Sequence, residues 1–368
     1  MRIGIDARKI RDFGIGTHIQ QLLAFLPEVD ADNTFIVFHS PGDESLIPPH
    51  GGRIQLAPDR SPKYSLRELT LLPVNMRRQR LDLFHAPHYT LPPARPCKGV
   101  VTIHDVIHLR FPEYLRHPAM YYYAKWMMRA AAASASAVLT VSDCSKQDIM
   151  RYLGVSAQKI VVIYNGIESA PPETPIRREA LEARFGLRQP YLLYLGNFMP
   201  HKNLETLVEA FRRLKQSGRF PYSLVLAGKN ERLREQVQRG IAQADLAQDV
   251  RLTGFVEPEW ADALYRHASA FVYPSRYEGF GLQALEAMAR GVPVIVANAG
   301  ALPEIAGDAA LRFDPNAPEE LAQCVRRIIE DDALRTRLID LGRERARQFS
   351  WREMARKTAE VYRRVLSQ

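Results

Sequence analysis

A chain of 368 residues exceeds what one hydrophobic core ordinarily organises, so two domains are expected. Its 46% hydrophobic and 25% charged residues exclude a disordered or fibrous chain, and no apolar run approaches the roughly 20 residues of a membrane span. The 50 Lys and Arg against 41 Asp and Glu leave a net charge of +9, which suits a polyanionic partner, yet no recognition helix, finger or RNP-like motif points to nucleic acid. An anionic membrane face or a phosphorylated ligand remains.

The chain opens directly on a buried strand at residues 3–6, without signal-peptide anatomy, so a cytoplasmic protein is expected. A loop carrying Gly14 and Gly16 leads into a helix with Ile19, Leu22, Leu23 and Leu26 on one face. Gly14-Ile-Gly16 lacks the third glycine of a dinucleotide fingerprint, and alone it reads equally well as a tight turn. A strand follows at 35–38. Residues 66–80 mix apolar positions with a basic end, a pattern that fits both a core-facing helix and one lying on a membrane surface. Residues 82–85 and 100–103 are nearly continuous apolar runs, as parallel strands are. Residues 121–128 show a pattern similar to that of 66–80, open to the same two uses, with core packing the favoured one there. A helix over 129–137 then runs into a strand at 138–141. Ser142 or Asp143 caps a helix over 146–152, and a strand at 160–163 closes this half.

Pro171, Pro172 and Pro175 mark a linker, and the alternation then restarts. A strand at 191–195 precedes a helix over 204–214 with Leu204, Leu207, Val208 and Phe211 on one face. Strands at 224–226, 251–252, 270–273 and 294–296 alternate with helices, and a long Arg/Glu-rich helix begins at about Trp351. Strand–helix alternation twice over predicts two doubly wound α/β domains, each with its ligand crevice at the carboxyl ends of its strands. The 3 cysteines, Cys97, Cys144 and Cys324, have neither zinc nor disulfide spacing and are expected to be buried structural thiols. His85, His88, His104 and His108 lack a carboxylate at ligand spacing, so no metal site is expected.

The stretch Arg276-Tyr-Glu-Gly-Phe-Gly-Leu-Gln-Ala-Leu-Glu286 carries the most chemistry. It places Glu278 on a loop at a helix mouth and Glu286 inside the helix, while Gly279 and Gly281 allow the backbone close to a ligand. The N–H groups of Phe280, Gly281 and Leu282 then face an anion. Two acids beside an anion hole suit a ligand with both hydroxyls and phosphates, such as a nucleotide sugar. Lys202, within Gly196-Asn-Phe-Met-Pro-His-Lys-Asn203, adds charge at a second helix mouth. His104 ends the strand at 100–103 and so lies in a ligand crevice.

The spacing of Glu278 and Glu286 resembles the E-x7-E signature of retaining glycosyltransferases, in particular glycosyltransferase family 4. The resemblance runs from Gly14-Ile-Gly16 through His201-Lys202-Asn203 to Leu302-Pro-Glu304, nearly the whole chain. It implies a GT-B fold: two Rossmann-like doubly wound parallel-sheet domains facing across a cleft. Residues 1–168 would form the acceptor-side domain, and 169–350 the nucleotide-sugar domain. A C-terminal helix over about 351–368 would pack back on the first.

The resemblance also implies residue roles. Gly14 and Gly16 would approach the diphosphate and acceptor, and Lys202 would bind the diphosphate. Glu278 would hold the donor sugar hydroxyls and Glu286 the ribose hydroxyls. His104 would position the donor sugar and stabilise charge. Many members carry Arg where Asn197 stands, so the second positive charge is missing there, and Arg276 is a candidate to replace part of it. Ser142 and Asn165-Gly166 would border the cleft, the first equally a helix cap and the second equally a hinge turn. Asp30-Ala-Asp32 matches the DxD of metal-dependent glycosyltransferases by chance, in a polar turn with no site around it.

Val101-Thr-Ile-His-Asp105 and Leu302-Pro-Glu-Ile-Ala-Gly307 look closest to mannosyltransferases of cell-surface glycan assembly. GDP-mannose is the favoured donor, with a UDP-sugar as runner-up, no further cofactor, and a saccharide or lipid-linked acceptor. A non-catalytic nucleotide-sugar-binding protein is the alternative.

Overall fold

A computed structural model of the chain describes residues 1–48, 52–65, 67–115, 117–167, 176–187, 190–218, 220–229 and 231–368. The chain divides into two compact units: Met1–Gly166 with Phe349–Gln368, and Ile167–Gln348. The expected linker prolines Pro171, Pro172 and Pro175, and the expected boundary at 168/169, lie outside the described residues.

The first unit begins with β1 (Arg2–Asp6), α1 (Phe13–Val29), β2 (Thr34–His39), β3 (Ile54–Pro58) and α2 (Glu68–Arg78). It continues through β4 (Leu83–Ala86), β5 (Lys98–Thr102), α3 (Ile107–Arg110), α4 (Pro118–Ser134), β6 (Ala137–Thr140), α5 (Asp143–Leu153) and β7 (Ile160–Val162). Its seven strands form one sheet in the order β3-β2-β1-β4-β5-β6-β7, every pair parallel. Burial on both faces explains the apolar runs: Phe38, Phe84 and Val101 pack beneath Leu72, Met128 and Ile149 of α2, α4 and α5.

The second unit contains α6 (Arg178–Phe185), β8 (Tyr191–Leu195), α7 (Leu204–Gln216), β9 (Ser223–Ala227), α8 (Glu231–Gln243), β10 (Val250–Gly254) and α9 (Pro258–Arg266). Then follow β11 (Ala270–Tyr273), α10 (Leu282–Ala289), β12 (Val294–Ala297), α11 (Leu302–Ala306), β13 (Ala310–Phe313), α12 (Pro318–Glu330) and α13 (Asp332–Arg347). Its six parallel strands run β10-β9-β8-β11-β12-β13.

The last helix, α14 (Trp351–Ser367), belongs to the first unit and lies along α1. Trp351, Met354, Val361, Tyr362 and Val365 are buried on it. The Tyr362 hydroxyl sits 2.6 Å from His85 Nδ1 of β4, and Lys98 Nζ of β5 donates to the Val365 carbonyl at 3.0 Å. The other nitrogen of His85 is 2.8 Å from the Thr102 hydroxyl, so this imidazole is wholly occupied in joining helix to sheet.

In each sheet the strand order reverses beside the first strand of the unit, between β1 and β4 and between β8 and β11. The carboxyl ends at such a reversal splay apart and open a crevice. Among the described residues no helix is long and apolar enough to cross a membrane.

Several sequence readings change. Cys324 is buried as expected, but Cys97 and Cys144 are only half-buried. The stretch 121–128 divides: Ala124, Met127 and Met128 face the core, whereas Tyr122 and Trp126 are exposed. Within 66–80, Leu72 and Met76 turn inward while Leu71 and Val74 are exposed, and Leu66 itself lies outside the described residues.

Candidate active site

The second unit gathers its charged residues at the β8/β11 crevice. After β8 the chain forms a short turn, and Asn203, in the left-handed conformation, starts α7. The buried Asn203 amide donates to the carbonyls of Pro274 and Pro315, pinning this turn to the segments that follow β11 and β13. Lys202 is thereby directed across the crevice. Its Nζ donates to Glu278 Oε1 at 2.6 Å and to the Tyr273 hydroxyl at 3.2 Å. Two of its three donors are engaged among the described residues, and one is left for a further acceptor.

Glu278 follows β11. Burial alone pushes its carboxyl up, but the Lys202 ammonium and then His201 outweigh that, and the group lies below the ordinary 4.5. It is therefore an anion at neutral pH and can only accept hydrogen bonds. Tyr273, held well above 10 chiefly by burial, stays a neutral hydroxyl and donates to Gln283 Oε1 at 3.0 Å.

Gly281 caps α10 with φ +105, a conformation that side chains disfavour, and a Cβ there would stand 2.7 Å from the Leu302 side chain. The following loop braces Glu278 from behind, with the Ala301 N–H donating to its carbonyl at 3.0 Å. No side chain caps α10, so its first turn presents N–H groups and the positive end of the helix dipole. Phe280 is buried beside Gly279. One turn into α10, Glu286 accepts from the Tyr265 hydroxyl at 2.9 Å. Asn197 is half-buried, and its carbonyl accepts from the Tyr194 hydroxyl at 2.9 Å. Arg276 reaches Glu205 at 3.6 Å, but its buried Nε has no hydrogen-bond partner among the described residues.

The first unit holds the remaining candidates. His104 follows β5, and its Nε2 lies 3.0 Å from the Pro87 carbonyl. A carbonyl can only accept, so Nε2 carries the proton and Nδ1 the lone pair. Burial lowers the imidazole to about 4, so it is neutral at physiological pH. Its edge meets His18 at 4.8 Å, and His18 Nδ1 contacts the Asn165 amide oxygen at 2.8 Å. The neutral His104 carries no positive charge and can accept a hydrogen bond at Nδ1.

Gly14 and Gly16, expected in a loop before the helix, lie instead in the first turn of α1, and they differ. A Cβ on Gly16 would stand 2.3 Å from the Ile10 carbonyl oxygen, whereas one on Gly14 would meet nothing within 4 Å. Ser142 is a helix cap, its hydroxyl accepting from the Ser145 N–H at 3.0 Å. Asp30 is likewise structural: it ends α1 and accepts from the Asn33 amide at 2.7 Å. Among the described residues no three His, Cys, Asp or Glu side chains gather as a metal site would need.

Tyr273 and Gln283 were not singled out from sequence, although Tyr273 stands at the end of a recognised strand, where crevice residues fall. A buried ionic group beyond β1 was also missed. Arg8 donates to Asp6 at 2.6 Å and to Glu68 at 2.5 Å and lies 3.5 Å from Asp59, all of them buried. Its signal was legible in the charges of Asp6-Ala-Arg8-Lys9, directly after an apolar strand.

Residues 178–345 match the family model for glycosyl transferases group 1, and residues 14–170 that for glycosyltransferase family 4. O-antigen chain mannosyltransferase B of Escherichia coli is 35% identical over 286 residues, 76% of this chain and 74% of that protein. A sucrose-phosphate synthase from Thermosynechococcus elongatus superimposes with a TM-score of 0.81 at 21% identity, covering 100% of this chain and 99% of that one. Anabaena Alr3699/HepE, solved in complex with UDP-glucose, gives a TM-score of 0.78 at 19% identity over 98% of this chain and 99% of its own. Fold and sequence together define a glycosyltransferase of the GT-B class. The chain belongs to glycosyltransferase family 4 and is mannosyltransferase-like.

Proposed function

We propose that this enzyme transfers mannose, with retention and without a metal ion, from GDP-mannose to a saccharide or lipid-linked acceptor in cell-surface glycan synthesis. The carrying observation is the Lys202–Glu278–Tyr273 group at the β8/β11 crevice. The anionic Glu278 accepts from donor-sugar hydroxyls. The third donor of Lys202, with the N–H groups of Phe280, Gly281 and Leu282, meets the diphosphate and offsets the charge it gains on leaving. Glu286 takes the ribose hydroxyls, and the half-exposed Arg276 guanidinium supplies part of the charge that Asn197 lacks. Gly14 gives a ligand room at the start of α1, and His104 accepts a donor-sugar hydroxyl at Nδ1. The acceptor hydroxyl attacks on the face from which the diphosphate departs. The leaving phosphate takes its proton, so positioning and electrostatics suffice. The relatedness to an O-antigen mannosyltransferase favours mannose.

A UDP-sugar is the second reading, favoured by the likeness to a fold solved with UDP-glucose. Thermal stabilisation by GDP, UDP and ADP, each with EDTA present, separates the two. A ligand specific to the native state adds about 2.7 kcal/mol at a hundred times its dissociation constant. A shift with GDP alone supports the first reading, and a shift with UDP alone replaces the donor. No shift with any of them counts against the catalytic reading and favours a degenerate site.

Peripheral contact with an anionic membrane is part of the same proposal. Tyr122 and Trp126 are exposed on α4 together with Arg129, the pairing of aromatic and basic groups that suits a lipid interface. Co-sedimentation with phosphatidylglycerol vesicles but not with phosphatidylcholine vesicles is the expected result, and equal recovery with both would remove this part.

A further inference from the structure

Of the two acids beside α10, Glu286 is held by groups to which the proposed transfer gives no part. Tyr265, on α9, is 2% exposed, and its hydroxyl donates to Glu286 Oε2 at 2.9 Å. Arg290, one turn beyond Glu286, lies over the Tyr265 ring, 5.2 Å to the centroid, and donates to the Glu286 backbone carbonyl at 3.0 Å. Its Nε donates to the buried Asp262 at 2.6 Å, and Asp262 also accepts from Arg266 at 2.7 Å. Asp262, Tyr265 and Arg266 fall on one face of α9 at helical spacing, as Glu286 and Arg290 do at the end of α10. A polar clasp between the two helices therefore converges on the turn that carries Glu286.

Packing alone does not call for this arrangement. A phenylalanine would bury the same ring with no hydroxyl to desolvate. Nor is the pair sealed in the interior, because Glu286 is half-buried: it is gripped at one oxygen while the residue stays partly open to solvent. A glutamate loses much rotamer freedom when it is fixed, and a ligand that must fix it binds more weakly for that reason. Burial first and Glu286 next keep the Tyr265 phenol well above its ordinary value of 10, so the grip is that of a neutral hydroxyl. It orients the carboxylate without cancelling its charge, whereas Lys202 pairs with Glu278 as a cation. A carboxylate has lone pairs for about four hydrogen bonds, so the contact with Tyr265 is compatible with accepting vicinal hydroxyls as well.

We propose that Tyr265 is a positioning residue for ribose recognition, holding the Glu286 carboxylate in the orientation that accepts the vicinal hydroxyls of the donor nucleotide. This rests on the reading of Glu286 as the ribose acceptor. Titration calorimetry of the full chain with GDP and with 2′,3′-dideoxy-GDP tests it, and UDP with its own dideoxy analogue covers the second donor reading. The wild type should prefer the ribose form. Tyr265→Phe should reduce that preference about fivefold, the scale of one hydrogen bond, while binding the dideoxy form as the wild type does, which also shows that the variant is folded. Glu286→Ala should lower the preference at least as much, and adding Tyr265→Phe to it should change nothing further, because the tyrosine acts through the carboxylate. If Tyr265→Phe weakened both forms equally, or left the preference intact while Glu286→Ala lowered it, the positioning role would be overturned and the ribose reading would stand. A wild type without a preference, or a Glu286→Ala variant that kept it, would remove the ribose reading and this inference with it.

Discussion

At the scale of single residues, the molecule holds the key charges of its candidate site in mutual contact. Lys202 and Glu278 are 10% and 13% exposed, so their 2.6 Å contact is little screened by solvent. Removing the lysine leaves the carboxylate without its main partner and, in the proposed reading, the diphosphate without its cation. Lys202→Ala should therefore weaken nucleoside-diphosphate affinity by roughly 1.5–3 kcal/mol, measured by titration calorimetry. Unchanged affinity would place the phosphates elsewhere. The same pair sets a pH dependence. The Glu278 carboxyl is depressed in the folded state, so its contribution is fully present above the ordinary value of 4.5 and is lost as pH falls through the lower folded value. The stability gap between wild type and Glu278→Gln, from urea midpoints, should be constant near neutrality and shrink below about pH 4.5. A gap that widens in acid would contradict the ionised pair. Each member was legible in the sequence, from its place at a helix mouth. Their contact, across 76 residues, was not, because it depends on which strands become neighbours.

At the scale of elements, burial decides what a sequence discloses. The strands read in advance are mostly those with both faces covered. The two that escaped notice, β3 and β13, are the last strands at one edge of their sheets, and residues facing solvent interrupt their apolar runs. The first turn of α1 shows a second limit. Gly14 and Gly16 look alike in a motif, yet only Gly16 is pressed against backbone. Gly16→Ala should destabilise by about 1–3 kcal/mol, because the Ile10 carbonyl must move to admit the methyl group. Gly14→Ala should leave stability within about 1 kcal/mol, since an alanine there favours the helix and meets no neighbour. Denaturant midpoints compare the two, and equal losses would mean that this helix turn is fixed by something other than this contact.

At the scale of the whole molecule, the two units are built differently along the chain. The second is continuous from Ile167 to Gln348, whereas the first is completed only by the final segment. The sequence showed an Arg/Glu-rich helix at the end, but not its destination, since an amphipathic face does not name its partner; only the family resemblance suggested one. In the structure α14 buries Trp351, Met354, Val361, Tyr362 and Val365 and satisfies His85. At about 1.5–3 kcal/mol for each large apolar side chain, that burial is of order 10 kcal/mol, comparable to the entire stability of a domain. A chain ending at Gln348 should therefore lose the folded first unit, leaving α1 and β4 uncovered. The second unit contains Lys202, Glu278 and Glu286 and needs nothing from the removed segment to hold them. Calorimetry of the truncated chain should show one cooperative transition that GDP raises, against a larger total unfolding enthalpy for the full chain. If truncation abolished the nucleotide-dependent transition as well, the donor groups would depend on the first unit for their order, and the division of labour proposed here would fail.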